Sequence, residues 1–102
     1  YQFYRHFYMC LKNFPRQHRY SLGGECERLI LDIFRCALLA SQAFRSSKIP
    51  YLEEGVIKIK LLRIHLRLAK DIEALDNKNY LRFQEELEEI AKIVGGWKRS
   101  LV

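Results

Sequence analysis

Apolar and polar residues along the chain follow the periodicity of α-helices, and the third helical stretch, residues 51–75, differs from a simple surface helix. At about 100° per residue it carries two apolar stripes. The first stripe consists of Ile57, Leu61, Ile64, Leu68 and Leu75, and the second stripe of Ile59, Leu62, Leu66 and Ala69. A helix that is apolar on two sides is buried on two sides. We therefore predict that one stripe packs in the core of the chain and the other against a neighbouring subunit.

A basic row lies between the two stripes. It consists of Lys60, Arg63, Arg67 and Lys70, at spacings of 3, 4 and 3 residues, with no acidic residue among them. A solvated face on so apolar a helix would normally mix both signs of charge. We therefore interpret the row as a phosphate-binding surface, with a merely solvated face as the alternative. In a closed ring of subunits, symmetry would repeat the row around the axis.

Three further helices complete the predicted domain. Residues 1–13 have an aromatic face and indicate the end of a first helix that begins upstream; this face either packs into a bundle or stacks on RNA bases. The second helix should run from about Leu22 to Arg45, and Pro50 should stand just before the third. The fourth starts near Asn79 or Tyr80. Its apolar seam, at spacings of 4, 3, 4, 3 and 4, consists of Phe83, Leu87, Ile90, Val94, Trp97 and Leu101.

The connections between these helices are short, which favours antiparallel neighbours. No strand pattern is present, so we predict an all-α, up-down antiparallel four-helix bundle that forms one domain over residues 1–102. Two adjacent glycines, Gly95 and Gly96, are unfavourable in the last turns of the fourth helix. They predict either a break in the helix or a close approach of its backbone to another element.

Charge and composition narrow the function. Eighteen Lys and Arg residues against twelve Asp and Glu give a net charge of +6. This balance favours an anionic partner, most plausibly nucleic acid. The three cysteines are odd in number, and two of them lie in an apolar helical pattern, which is typical of buried thiols in a reducing compartment. With no signal peptide and no apolar run long enough to span a membrane, we expect a cytoplasmic location.

No catalytic constellation is visible. The three histidines, His6, His18 and His65, lie in different segments, and none has a second ligand at the spacing that zinc requires. The serines have no His/Asp arrangement suited to nucleophilic catalysis. We therefore predict a protein that is not an enzyme, with no catalytic residue, metal or cofactor.

Three short motifs carry a resemblance to a known family. They are FPRQHRYSLGG before the second helix, LLRIHLRLAKD in the third helix and GGWKRSLV at the end. Together they resemble the accessory variability determinant (Avd) proteins of diversity-generating retroelements. That family belongs with the four-helix-bundle proteins encoded by intervening sequences of 23S ribosomal RNA genes. The resemblance covers essentially the whole chain.

The resemblance implies a barrel-shaped homopentamer that binds the reverse transcriptase of the retroelement and its template RNA, without catalysis by this subunit. It implies nucleic-acid-binding roles for Arg63 and Arg67 and for Arg16 and Arg19 in the first turn, and geometry extends the role to Lys60 and Lys70. We assign the contact between subunits to Ile59, Leu62, Leu66 and Trp97, although the pattern leaves open which stripe of the third helix faces the bundle. The alternative function is a structural protein–protein scaffold of the intervening-sequence type that does not bind nucleic acid.

Overall fold

Five helices follow one another in the computed structural model, which describes residues 2–102. They are α1 (Gln2–Leu11), α2 (Arg16–Arg19), α3 (Leu22–Gln42), α4 (Arg45–Asp71) and α5 (Asn77–Ser100). The four long helices confirm the predicted all-α class, and no strand occurs within residues 2–102. The first predicted helix corresponds to α1, although its residue 1 lies outside the described part of the chain. The one-turn α2 lies in a segment that had been predicted as a connection.

Helix α4 is the central element, because α3 and α5 both pack along it. Lys58 Nζ lies 3.2 Å from Asp32 Oδ2, and Arg35 Nη2 lies 3.1 Å from Glu54 Oε2. These pairs put the end of α3 beside the beginning of α4, so the two helices run antiparallel. Ion pairs between α4 and α5 show the same antiparallel relation. Helix α1 packs against α3 and α5 and closes one half of the bundle.

Aromatic rings fill the core where α1 meets α5. The ring centroids of Phe7 and Phe83 are 5.7 Å apart, and those of Phe7 and Phe14 are 5.9 Å apart. All three side chains are buried. The aromatic face of α1 therefore packs into the bundle through Phe3 and Phe7, whereas Tyr8 on the same helix stays exposed. The predicted seam of α5 is also confirmed, since all its residues are buried in the core or pack against it.

The two stripes of α4 have different environments. Ile59, Leu62 and Leu66 of the second stripe are 0–2% exposed inside a single chain. Their assignment to a contact between subunits is therefore wrong, because side chains enclosed by their own bundle cannot touch a neighbour. Trp97 is half-buried and packs against the same core. The first stripe lies on the opposite side of α4 and is exposed from Ile57 to Leu68.

The junction between α3 and α4 is shorter than predicted. Only Ala43 and Phe44 separate the helices, and α4 begins at Arg45, so Pro50 lies within it. Pro50 is the sixth residue of α4, so its missing N–H leaves the carbonyl of Ser46 without its usual donor from the helix backbone. Lys48 reinforces the junction, since its Nζ donates to the backbone oxygen of Ala40 at 2.7 Å.

The end of α4 is a Schellman motif. The N–H of Ala74 donates to the carbonyl of Ala69, and the N–H of Glu73 donates to the carbonyl of Lys70, which is the hydrogen-bond pattern of this motif. Glu73 has φ 62°, a left-handed conformation that normally selects glycine. The motif ends α4 at Asp71, before the predicted end at Leu75, and buries Leu75 in the turn.

Gly23 and the pair Gly95–Gly96 lie in very different surroundings. A Cβ atom on Gly23 would overlap Leu11 Cδ1 and lie 3.2 Å from His18 O, so glycine permits the close approach of α3 to the preceding turn. At Gly95 and Gly96 the nearest atoms belong only to the flexible side chain of Arg99. Helix α5 continues through both glycines. The predicted helix break is therefore absent, and no backbone of another element among residues 2–102 comes close to these two glycines.

The three cysteines are free thiols. Cys26 and Cys36 are buried, and burial raises the pKa of Cys26 to about 12. Burial, and next the hydrogen bond that Cys36 Sγ donates to Glu54 at 2.7 Å, raise the pKa of Cys36 to about 11. Both thiols are therefore protonated at neutral pH and pack as small apolar groups.

Candidate nucleic-acid interface

The basic row runs along one side of α4, and its members alternate in exposure. Lys60 and Arg67 are exposed, whereas Arg63 and Lys70 are half-buried. The alternation follows from helix geometry, because Lys60 and Arg67 lie beside the exposed first stripe and the other two lie on the edge nearer α5. The four side chains share one flank of α4, but only two of them extend fully into solvent.

Arg63 is joined to α5. Its Nη2 donates to Glu88 Oε2 at 2.8 Å and its Nη1 to Gln84 Oε1 at 3.4 Å, while Gln84 Nε2 donates back to the backbone oxygen of Arg63 at 3.4 Å. A phosphate at this position would have to compete with a carboxylate that is already in contact. The sequence contains a signal for this pairing, since four glutamates lie between residues 85 and 89 of the antiparallel neighbour.

Arg67 and Lys70 surround Tyr80. Arg67 Nε lies 3.4 Å from Asp71 Oδ1. The charge of Asp71 raises the pKa of Arg67, and the hydrogen bond that Arg67 donates to Asp71 raises it further. Lys70 Nζ lies 5.0 Å from the centroid of the Tyr80 ring, which is the geometry of a cation–π contact. An aromatic ring therefore lies within the basic surface, beside its two C-terminal cations.

A groove of about 310 Å³ runs between α4 and α5 at this point. It is lined by Arg63, Ile64, Arg67, Leu68, Tyr80 and Gln84. The groove combines guanidinium groups, an aromatic ring and an amide, which are the side-chain types that contact phosphates and bases in nucleic-acid complexes. Tyr80 and Gln84 were missed from the sequence, because their place in the groove depends on the register between α4 and α5.

The two arginines of the first turn have different roles. Arg16 is exposed. Arg19 Nη2 donates to the backbone oxygens of Lys12 at 2.8 Å and Phe14 at 3.5 Å, and thereby fastens α2 to the end of α1. The Arg19 guanidinium is thus partly committed to holding this turn together, while Arg16 is available to a ligand. Both lie on α2, so the fold brings the predicted site residues together in two groups.

The exposed part of the first stripe adjoins the groove. Ile64 and Leu68 line the groove and are also 57% and 47% exposed. Ile57, Leu61 and Ile72 extend the same apolar line along α4. Polar groups for binding and an uncovered apolar face therefore lie side by side on the central helix.

The described residues offer little support for other kinds of site. Residues 2–102 contain no group of three or more His, Cys, Asp or Glu side chains placed to hold a metal ion. None of the helices in this part of the chain combines the length and the apolar character that crossing a membrane requires.

The fold and the candidate site define a structural class, an all-α bundle whose central helix carries a basic groove and an uncovered apolar face. Comparison with protein families specifies that class, because the bAvd-like family matches residues 1–101. The chain therefore belongs to the bAvd-like family and is an Avd-type protein, a class that is in general accessory and non-catalytic. The comparison with curated proteins found no match, nor did the comparison with solved structures.

Proposed function

We propose that the chain is a non-catalytic accessory subunit of a diversity-generating retroelement. It forms a ring-shaped homo-oligomer, of five subunits as the resemblance implies, and binds the reverse transcriptase and its template RNA in the cytoplasm. The observation that carries this proposal is the family match over residues 1–101, together with the basic groove and the exposed first stripe on α4.

The exposure of the first stripe supports assembly. Four of its residues are 38–57% exposed in the isolated chain, on the side of α4 opposite the core. Continuous apolar faces of this kind mark protein interaction sites. The contact between subunits is thus reassigned from the second stripe to Ile57, Leu61, Ile64 and Leu68. Subunits joined in this way would place the basic row of each copy next to the interface.

The groove between α4 and α5 supports RNA binding. Lys60 and Arg67 extend into solvent, and Tyr80 provides a ring for a base within the same groove. Repetition around a ring would add the charges of all copies, because electrostatic attraction to phosphates sums over the surface.

RNA binding can be tested by its dependence on salt. A surface that contacts about six phosphates should lose roughly 1000-fold in affinity between about 50 and 200 mM salt. Reversal of charge in Lys60→Glu and Arg67→Glu should reduce both the affinity and the salt dependence. Arg28→Glu, on the exposed polar face of α3, is the matched control. Fluorescence anisotropy with labelled RNA measures the affinity and its dependence on salt. If the affinity of the wild-type protein does not change with salt, RNA binding by this surface is ruled out.

The alternative is a structural scaffold, and one observation favours it. Arg63 pairs with Glu88 and Arg67 with Asp71, so half of the basic row is already partly neutralised within the chain. A scaffold predicts that binding of the reverse transcriptase persists unchanged when all four row residues are replaced by alanine and that the wild-type protein retains no RNA. The accessory role predicts that these variants lose the RNA.

A further inference from the structure

A second cleft lies at the corner where α1, α2 and α3 meet. It has a volume of about 360 Å³, within the range of ligand sites. Tyr8 lines it from α1, Lys12 from just after α1, Arg19 and Tyr20 from the end of α2 and the residue after it, and Glu27 from α3. None of these residues contributes to the groove between α4 and α5.

Two tyrosines are exposed in this cleft. Tyr20 is 82% exposed and Tyr8 is 46% exposed, so the Tyr20 ring is open to a ligand and the Tyr8 ring is partly accessible. A single exposed aromatic residue is ordinary, but two in one concave site are typical of surfaces on which unpaired bases stack. Lys12 Nζ lies over the Tyr8 ring, 5.3 Å from its centroid, which places a cation on the aromatic surface itself.

The electrostatic surroundings favour a phosphate. The first 24 residues contain four Lys and Arg residues and no acid. Gly24, in the first helical turn of α3, also borders the cleft. The N-cap residue of α3, Ser21, makes no side-chain hydrogen bond to this helical turn. An uncapped N-terminus of a long helix adds partial positive charge, which Glu25 in the same turn partly offsets. Lys12 and this helix end can therefore hold one phosphate between them.

Glu27 is the only acidic residue lining this cleft. It is half-buried, accepts a hydrogen bond from the Tyr4 hydroxyl to Oε2 at 3.0 Å and forms no ion pair with the described residues. A carboxylate accepts hydrogen bonds only. Guanine presents two adjacent donors, N1–H and N2–H₂, on its Watson–Crick edge and can engage both carboxylate oxygens. Uracil presents a single donor there, N3–H, flanked by two carbonyl oxygens that a carboxylate repels. A fixed carboxylate in a basic, aromatic cleft therefore selects guanine.

We propose that this cleft binds an unpaired guanosine nucleotide of a single-stranded nucleic acid. The base stacks on Tyr20 and Tyr8, its Watson–Crick edge donates to Glu27, and its phosphate lies between Lys12 and the first turn of α3. This inference rests on the proposed function, because it gives the accessory subunit a sequence preference that the groove on α4 does not supply.

The test uses two short labelled oligoribonucleotides that differ only in one central guanosine or uridine. The wild-type protein should bind the guanosine strand more tightly. Tyr20→Ala should weaken this binding about 5- to 150-fold, the equivalent of one base stack, and Tyr20→Phe should restore it. Phe44→Ala removes an equally exposed aromatic ring, 87% exposed, in the link between α3 and α4 and is the matched control.

Glu27→Gln tests the selection of the base. It should abolish the preference for guanosine over uridine while the affinity for the uridine strand stays the same. Circular dichroism of each variant checks that the helices are intact.

The outcomes separate this inference from the proposed function. If the wild-type protein binds neither strand, both are overturned. If it binds RNA but Tyr20→Ala behaves like Phe44→Ala, or the preference survives Glu27→Gln, the guanosine cleft is overturned and the basic groove stands. If the cleft variants weaken binding of the reverse transcriptase and not of RNA, the cleft is a protein contact and the inference is also overturned.

Discussion

At the scale of single residues, the backbone conformation of a residue and the room around it explain structural roles that the residue type alone leaves ambiguous. Gly23 and Gly24 are adjacent and identical, yet a Cβ atom would be crowded by the Phe14 ring and the preceding turn at Gly23 and would have room at Gly24. Glu73 has a left-handed backbone conformation that the neighbouring residues in the sequence do not predict. Each contrast leads to a prediction about stability.

Gly23→Ala should lower the free energy of unfolding by about 1–3 kcal/mol, the usual effect of forcing a methyl group into a packed interior. The new Cβ would overlap Leu11 Cδ1 and lie 3.2 Å from Phe14 Cδ2. Gly24→Ala is the matched control, because its Cβ would have only Arg19 O nearby, at 3.9 Å. Urea denaturation of the two variants measures the difference, and equal stabilities would contradict the close packing at Gly23.

Glu73→Gly should raise the free energy of unfolding by about 1 kcal/mol, since a left-handed backbone costs an ordinary residue roughly 1–2 kcal/mol and glycine little. Glu85→Gly, an exposed position inside α5, is the control. It should lower stability by about 1 kcal/mol because glycine is unfavourable in a helix interior. Thermal or urea unfolding would show the two substitutions acting in opposite directions; a loss of stability in Glu73→Gly would contradict the Schellman motif.

At the scale of helices, apolar periodicity predicted much of the fold. It identified the seam of α5 and the apolar face of α4 that packs in the core, because burial imposes a regular spacing on the sequence. The second apolar face of α4 is present but exposed in this chain. It misplaced the start of α4, because proline usually marks a helix boundary, whereas here Pro50 lies in the second turn of the helix. It also missed α2, since one turn of helix is too short to show a period.

Gly95→Ala and Gly96→Ala should each stabilise the isolated chain by about 1 kcal/mol, owing to the higher helix propensity of alanine. The added methyl groups would meet only Arg99 side-chain atoms, at 3.5 and 3.9 Å. Urea unfolding at low protein concentration measures the effect. A loss of stability in these monomeric conditions would mean that α5 does not pass through both glycines as a regular helix.

At the scale of the whole molecule, the candidate site could be predicted only in part. The basic row was visible in the sequence, but its pairing with Gln84 and Glu88 depends on the register of two helices. The choice between the stripes depends on which side of α4 the other helices cover. Sequence periodicity shows how two faces of a helix are oriented relative to each other, but it does not show which element packs on each face. For this reason Leu62 and Leu66 were assigned to the wrong contact.

Ile64→Glu should dissociate the proposed ring, because it puts a charge into the apolar face that each subunit would bury against its neighbour. Ile93→Glu is the matched control, since Ile93 is 68% exposed on α5, outside the stripe. Light scattering should give the wild-type protein and Ile93→Glu a mass several times that of the 12.2 kDa chain, and Ile64→Glu the mass of one chain. A wild-type mass of 12.2 kDa would contradict the assembly.

The two-residue link between α3 and α4 has a consequence for the order of folding. A hairpin with so short a loop brings its halves together at little entropic cost, whereas Phe3 must find Phe83 across most of the chain. We therefore expect α3 and α4 to form the folding nucleus and α1 to dock late. Until it docks, the nascent protein would exist as a helical hairpin with its aromatic cluster still unassembled.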